Sequence, residues 1–186
     1  MTTANHATVR DAAVIDVRRA APADADMLAR LGARTFRETF GRENTPENMA
    51  AYVTKAFDVL AIAREVADPD ILYLVGEAAG QSVAYAMLRA APAPAAVIAP
   101  APLEIARFYV DLPWHGRGVA HAMMAACDAE ARRRGARTLW LGVWERNPRA
   151  IRFYERCGFR DVGSQQFVLG DDAQTDRVMA RPIPAG

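Results

Sequence analysis

The chain has 186 residues, a mass of 20.3 kDa and 52% hydrophobic residues, which fits one domain with a sizeable core. Its 23 Lys+Arg against 22 Asp+Glu leave a formal charge of +1, so no global field draws it to nucleic acid or to an anionic membrane, and a charged ligand has to be held locally. No apolar run approaches the ~20 residues of a membrane span, and Met1 to Asp11 lack the basic-then-apolar order of a secretion signal, which together predict a cytoplasmic protein. The two cysteines, Cys127 and Cys157, have neither metal-ligand nor redox-motif spacing and read as reduced packing residues. His115 and His121 also lack metal-ligand spacing, so no metal site is expected. Trp114, Trp140 and Trp144 have no basic run interleaved with them and read as packing residues, not as a nucleic-acid stacking surface.

Residues 1–11 are polar and without periodicity, which predicts a disordered tail before a single domain over 12–184. Val14 to Arg18 suits a short strand. Pro22, Asp24 and Asp26 give helix-start chemistry for a helix from about Ala23 to Phe40, with Met27, Leu28, Leu31 and Phe36 apolar. Gly41 to Thr45 breaks it, and Pro46 restarts a second helix carrying Met49, Tyr52, Val53, Ala56 and Phe57 at helical spacing. Asp68 and Pro69 stop the helical stretch, so two helices are expected before Ile71 to Val75, an apolar strand ending at Gly76. The short Glu77 to Gly80 connection predicts a hairpin with the strand from about Ser82 to Arg89. Ala90 to Pro102 is almost entirely Ala and Pro, which predicts an extended, mobile loop. Leu103 to Val110 is a strand, Gly116 and Gly118 make a turn, and Val119 to Arg134 is a helix ended by Gly135. Arg137 to Val143 is a strand, Pro148 to Arg156 a short helix, and Phe159 to Leu169 and Thr175 to Ala180 are closing strands. The predicted order is βααββ followed by βαβαββ, an α/β chain of α+β type. Asp128 with Arg132 and Glu130 with Arg134, spaced i to i+4, read as an exposed helix face.

Chemistry concentrates where the strand ending at Val110 passes through two glycines into a helix. The first N–H groups of a helix have no internal partner, and the aligned peptide dipoles place partial positive charge there, so a pyrophosphate is held without a lysine. Taken alone, Gly116 and Gly118 equally suit a tight strand-to-helix turn.

The run His115-Gly116-Arg117-Gly118-Val119-Ala120 resembles the pyrophosphate loop of the GNAT superfamily of N-acetyltransferases, Arg/Gln-x-x-Gly-x-Gly/Ala, with His115 in place of the usual Arg or Gln. Asn147 to Phe159 (NPRAIRFYERCGF) resembles the same family's Asn-x-x-Ala-x-x-x-Tyr-x-x-x-Gly-Phe signature, in the family's order and at about its spacing. Trp140 to Glu145, Phe167 to Asp176 and Thr35 to Gly41 are similar to the Pai-type spermine/spermidine N-acetyltransferases. The resemblance implies a central mixed, mostly antiparallel sheet of about seven strands flanked by helices, and acetyl-CoA as co-substrate. It implies cofactor contacts at Phe108, Tyr109 and Val110, at the loop His115 to Ala120, and at Asn147, with Tyr154 near the thioester sulfur. A homodimer is compatible with it.

A phenol near the sulfur would protonate the departing thiolate, although Tyr154 also suits a structural aromatic on an amphipathic helix. The acceptor amine, with a pKa near ~10, arrives protonated. Glu104, fourteen positions before Gly118, is the candidate base by resemblance to the catalytic glutamate of the histone-acetylating branch; an ordinary exposed strand residue or salt-bridge partner is the other reading. Glu38, Glu43 and Glu47, around the link between the first two helices, and Asp171 and Asp172 on a later loop are candidate contacts for a polyamine, or else a solvated acidic surface. The leading reading is N-acetylation of a primary amine, with spermidine or spermine as the leading acceptor. A protein lysine or N-terminus, an amino acid or an aminoglycoside is the alternative acceptor, and a catalytically silent acyl-CoA-binding module the alternative class.

Overall fold

The computed structural model describes residues 14–183, so the expected tail at 1–11 lies outside the described residues. Strand β1 (Ile15–Arg19) leads through a single 3₁₀ turn at Pro22–Asp24 into α1 (Ala25–Phe40), α2 (Pro46–Ala56) and α3 (Val59–Ala67). Then come β2 (Ile71–Ala78), β3 (Gln81–Arg89), β4 (Pro102–Val110), α4 (Val119–Arg133), β5 (Thr138–Trp144), α5 (Pro148–Arg156), β6 (Arg160–Leu169) and β7 (Asp172–Pro182). The seven strands form one sheet in the order β1-β2-β3-β4-β5-β7-β6. Every neighbouring pair is antiparallel except β4 with β5, the mixed, mostly antiparallel sheet that was expected.

Three helices precede β2, where two were expected. The reason is Asp58, whose side chain accepts from the Ala61 N–H at 2.8 Å and caps a new helix directly after Phe57. The β2–β3 hairpin is tighter than predicted. Ala78 pairs with Gln81, leaving a two-residue turn in which Ala79 (φ 50°) and Gly80 (φ 71°) are both left-handed.

Helices α4 and α5 cover one face of the sheet. In α4, Val119, Met123, Cys127 and Ala131 recur every fourth residue and pack on Leu74, Ala86, Ile105 and Leu141. On the other face lie α1, α2 and α3, where Leu28, Leu31 and Phe36 meet Tyr73, Val75, Tyr85 and Met87. The hydroxyl of Thr35 would be a liability in this interface, and it donates to the Leu31 carbonyl at 2.9 Å.

Two further expectations are corrected. The Ala/Pro segment after β3 is not a free loop: Val97 is buried against Trp140 and Val178, with Ala93 and Ala99 beside it, so the segment roofs the part of the sheet that no helix covers. On α4 the expected Glu130–Arg134 pair forms, but Glu130 itself is buried while Arg132 and Arg133 stay exposed. Glu130 is bonded to Arg19, Arg133 and Arg134, and Asp128 pairs with Arg181 on β7 instead of with Arg132. Among the thiols, Cys127 is buried and Cys157 half-buried, both free.

Candidate active site

The feature that creates the site is a failure of pairing. Strands β4 and β5 are in register only from Pro102 to Glu104, opposite Thr138 to Trp140, and then diverge. From Ile105 onward β4 has no strand beside it on that side, so a row of backbone amides faces an open wedge. A bulge sharpens the effect: Met87 pairs with Arg107 but Leu88 with Ile105, so Ala106 is an extra residue on β4. Past the bulge, Phe108 and Val110 turn toward α4 and α5, while Arg107 and Tyr109 turn toward α1 to α3.

At the open end of the wedge lies the loop from His115 to Ala120. Gly116 (φ +74°) and Gly118 (φ +86°) are both left-handed, and Gly118 is the N-cap of α4, a conformation that costs any residue with a β-carbon. Among the described residues, no N–H from Gly116 to Ala120 donates to a backbone carbonyl; the first to do so is His121, to Gly118 at 3.0 Å. Five consecutive donors at a helix start form an anion cradle. The His115 ring braces the loop: its Nε2 lies 2.8 Å from the Val110 carbonyl oxygen, and its Nδ1 meets Arg149 of α5. Arg117 projects outward with its guanidinium 5.4 Å from the Trp114 ring centroid.

On the far wall, Asn147 caps α5 by accepting from the Ala150 N–H at 3.1 Å, which leaves its side-chain amide N–H₂ as a donor. Tyr154, about two turns beyond Asn147 on that helix, is 7% exposed, packs edge-on to Phe108 at 6.1 Å, and lines the cavity. Burial pushes its hydroxyl well above the ordinary tyrosine value, so it remains a proton donor at neutral pH.

The cavity has a volume of about 700 Å³ and passes from the loop through the wedge to a pocket on the α1/α2 side. Phe36, Phe40, Tyr52, Tyr109, Trp144 and Phe167 wall that pocket. Three carboxylates line the cavity. Glu104 sits at the closed end of the wedge, 7% exposed and bound to Arg89 at 2.5 Å. Glu65 accepts from Tyr73 and lies 3.4 Å from Arg107. The third, Asp176 on β7, was not singled out from the sequence. It is 8% exposed and has neither an ion pair nor a hydrogen bond to its carboxylate among the described residues. Burial and the charge of Glu145 push it up to about 6.

Of the expected site residues, Phe108, Tyr109, Val110, His115, Gly116, Gly118, Ala120, Asn147, Tyr154 and Glu104 line this one cavity. Arg117 points away, and the Val119 side chain is buried beneath α4, so each offers the cavity only its backbone. The five acceptor candidates lie elsewhere: Glu47 is exposed at the start of α2, and Asp172 is exposed and accepts from the Gln174 amide at 2.9 Å. Glu38 is exposed on α1, Glu43 is exposed and 4.0 Å from Arg146, and Asp171 is held by Asn48 of α2 at 2.6 Å. Glu38 follows Phe36 by two residues, and on a helix that rotation carries it to the opposite face.

Residues 29–159 match the Acetyltransferase (GNAT) family. An uncharacterized N-acetyltransferase of Mycobacterium tuberculosis is 34% identical over 160 residues, covering 86% of this chain and 98% of its own. One from Lactobacillus delbrueckii is 32% identical over 149 residues, 80% of this chain and 86% of its own. The PaiA N-acetyltransferase of Thermoplasma acidophilum, solved in complex with coenzyme A, superposes with a TM-score of 0.74 at 16% identity, covering 91% of this chain and 99% of that one. At that identity the likeness is one of fold. Wedge, glycine loop and α5 tyrosine thus coincide with a family match over most of the chain, and the protein belongs to the GNAT family of acetyltransferases.

Proposed function

We propose that the protein transfers the acetyl group of acetyl-CoA to a primary amine. The observation that carries this reading is the set of five N–H groups from Gly116 to Ala120 that have no backbone carbonyl partner among the described residues, placed at the open end of an unpaired β4 edge. A pyrophosphate suits the first; a pantetheine arm, which carries two amides, suits the second as a strand would. The donor supplies an activated thioester carbonyl. Around it, Tyr154 provides the proton that the departing sulfur takes as the C–S bond breaks and the C–N bond forms. The Asn147 amide N–H₂ is free to hold an amide carbonyl of the arm. His115, though it replaces the usual Arg or Gln, keeps the loop in place through Val110 and Arg149, so the substitution is consistent with function.

The acceptor's extra proton must also leave, and the resemblance assigns this to Glu104. Arg89 holds one oxygen of that carboxylate, so Glu104 in this role acts directly through the other oxygen or through water. A Glu104→Gln variant with the wild-type pH–rate profile would remove it from the mechanism. The principal test is release of free thiol from acetyl-CoA across a panel of primary amines. Tyr154→Phe is expected to lower turnover about 10²-fold while acetyl-CoA affinity stays within about twofold. Acetyl-CoA binding without thiol release from any amine would favour a silent binding module instead.

The polyamine expectation drew on the Pai-type resemblance and on Glu38, Glu43, Glu47, Asp171 and Asp172, and none of these five carboxylates lines the cavity. Spermidine and spermine therefore enter the panel on the same footing as other primary amines.

A further inference from the structure

The pocket on the α1/α2 side of the wedge has an uneven distribution of charge and surface. Its walls are a connected aromatic series: Phe36 stacks on Tyr52 with centroids 4.5 Å apart, Tyr52 meets Phe167 edge-on at 5.3 Å, and Phe40 meets Trp144 at 5.4 Å. Two of the three carboxylates that line the cavity already have cationic partners, Glu104 with Arg89 and Glu65 with Arg107. Only Asp176 has none among the described residues. It lies on β7 between Trp144 of β5 and Gln165 of β6, on the face turned away from α4 and α5.

A residue of β5 makes room for it. Gly142 has no side chain, and a β-carbon there would come within 2.6 Å of Gln165 Nε2 and 3.1 Å of Asp176 Oδ2. The carboxylate thus reaches over the β5 backbone, close to where the wedge opens from one face of the sheet to the other. A carboxylate this buried is costly unless something cationic joins it. The raised pKa of Asp176 reflects that cost.

Resting on the acetyl-transfer reading, we propose that Asp176 receives the ammonium of the acceptor, and that the acceptor is an amine with a single positive charge on an apolar, ring-bearing body. One unpaired carboxylate neutralises one ammonium. A second and third ammonium, as in a polyamine, would meet aromatic walls and the guanidiniums of Arg89 and Arg107, with no free carboxylate to offset them. An aromatic or branched apolar body, by contrast, displaces water from the rings of Phe36, Tyr52 and Phe167.

The test compares phenethylamine, tryptamine, spermidine and an acetylatable lysine peptide as acceptors for the full chain, read as thiol release at fixed acetyl-CoA. Wild-type kcat/KM is expected to be at least about tenfold higher for the arylalkylamines. Asp176→Asn should lower it for them by about 10–100-fold, mostly through KM, with acetyl-CoA affinity unchanged. A separate measurement follows phenethylamine binding to the protein saturated with coenzyme A, which Asp176→Asn should abolish. If spermidine or the peptide is preferred, or if Asp176→Asn binds and acetylates phenethylamine like wild type, the inference is wrong and acetyl transfer still stands. If no amine releases thiol although acetyl-CoA binds, the underlying reading fails and takes this inference with it.

Discussion

Asp176→Asn should make the protein more stable at neutral pH, because an empty acceptor pocket holds a buried carboxylate at a cost. Asp176 moves from the ordinary aspartate value of 3.8 up to about 6 in the folded chain. The folded state therefore takes up a proton more readily than the unfolded one. The penalty is absent below pH 3.8, grows between 3.8 and about 6, and is complete above that. At 1.36 kcal/mol per tenfold change in acidity, the ceiling is ~3 kcal/mol. Solvent in an open cavity screens part of this, which leaves ~1–2 kcal/mol. For a chain of this size that corresponds to a rise in Tm of roughly 3–6 °C. Thermal unfolding of wild type and Asp176→Asn at pH 7.5 and again at pH 4 measures it. The gain should be present at pH 7.5 and should shrink at pH 4, where the wild-type carboxyl is itself protonated. An equal gain at both values, or a loss at pH 7.5, refutes the reasoning and implies that Asp176 holds a favourable contact in the free protein.

Two further substitutions probe the architecture. Gly118→Ala places a β-carbon at φ +86°, which costs roughly 1–2 kcal/mol; it should weaken acetyl-CoA binding about tenfold by calorimetry, and unchanged affinity would show that the loop's left-handed turn is dispensable. Gly32→Ala would put a β-carbon 2.5 Å from the Phe57 ring and 2.7 Å from the Tyr85 hydroxyl. It should lower stability by about 1–3 kcal/mol in urea unfolding, and a midpoint equal to wild type would mean that α1 shifts at no cost.

What the sequence revealed and what it hid divides along physical lines. The glycine loop was legible because a left-handed φ is a local demand that Gly116 and Gly118 meet by themselves. Strands were legible from apolar runs, and α5 from Pro148 and its buried face. The Asp58 cap was missed because an acidic residue between two helical stretches has no distinctive spacing. Val97 looked unconstrained, since its partners Trp140 and Val178 are distant in sequence. Asp176 was hidden for the same reason: its burial comes from the β5–β7–β6 register and from Gly142 beneath it, and no local pattern marks a carboxylate that long-range pairing will enclose. Glu38 and Glu43 drew attention by their charge and their place around the link between the first two helices, neither of which says which way a helix face turns.

The parting of β4 from β5 has a kinetic consequence under the proposed function. The unpaired edge of Ile105 to Val110 and the N–H cradle of Gly116 to Ala120 address only the amide-bearing arm and pyrophosphate of the carrier. Those groups are the same before and after transfer. Spent carrier is therefore gripped nearly as firmly as loaded carrier, which predicts competitive inhibition by free coenzyme A against acetyl-CoA and a turnover ceiling set by release of that product once the amine is saturating.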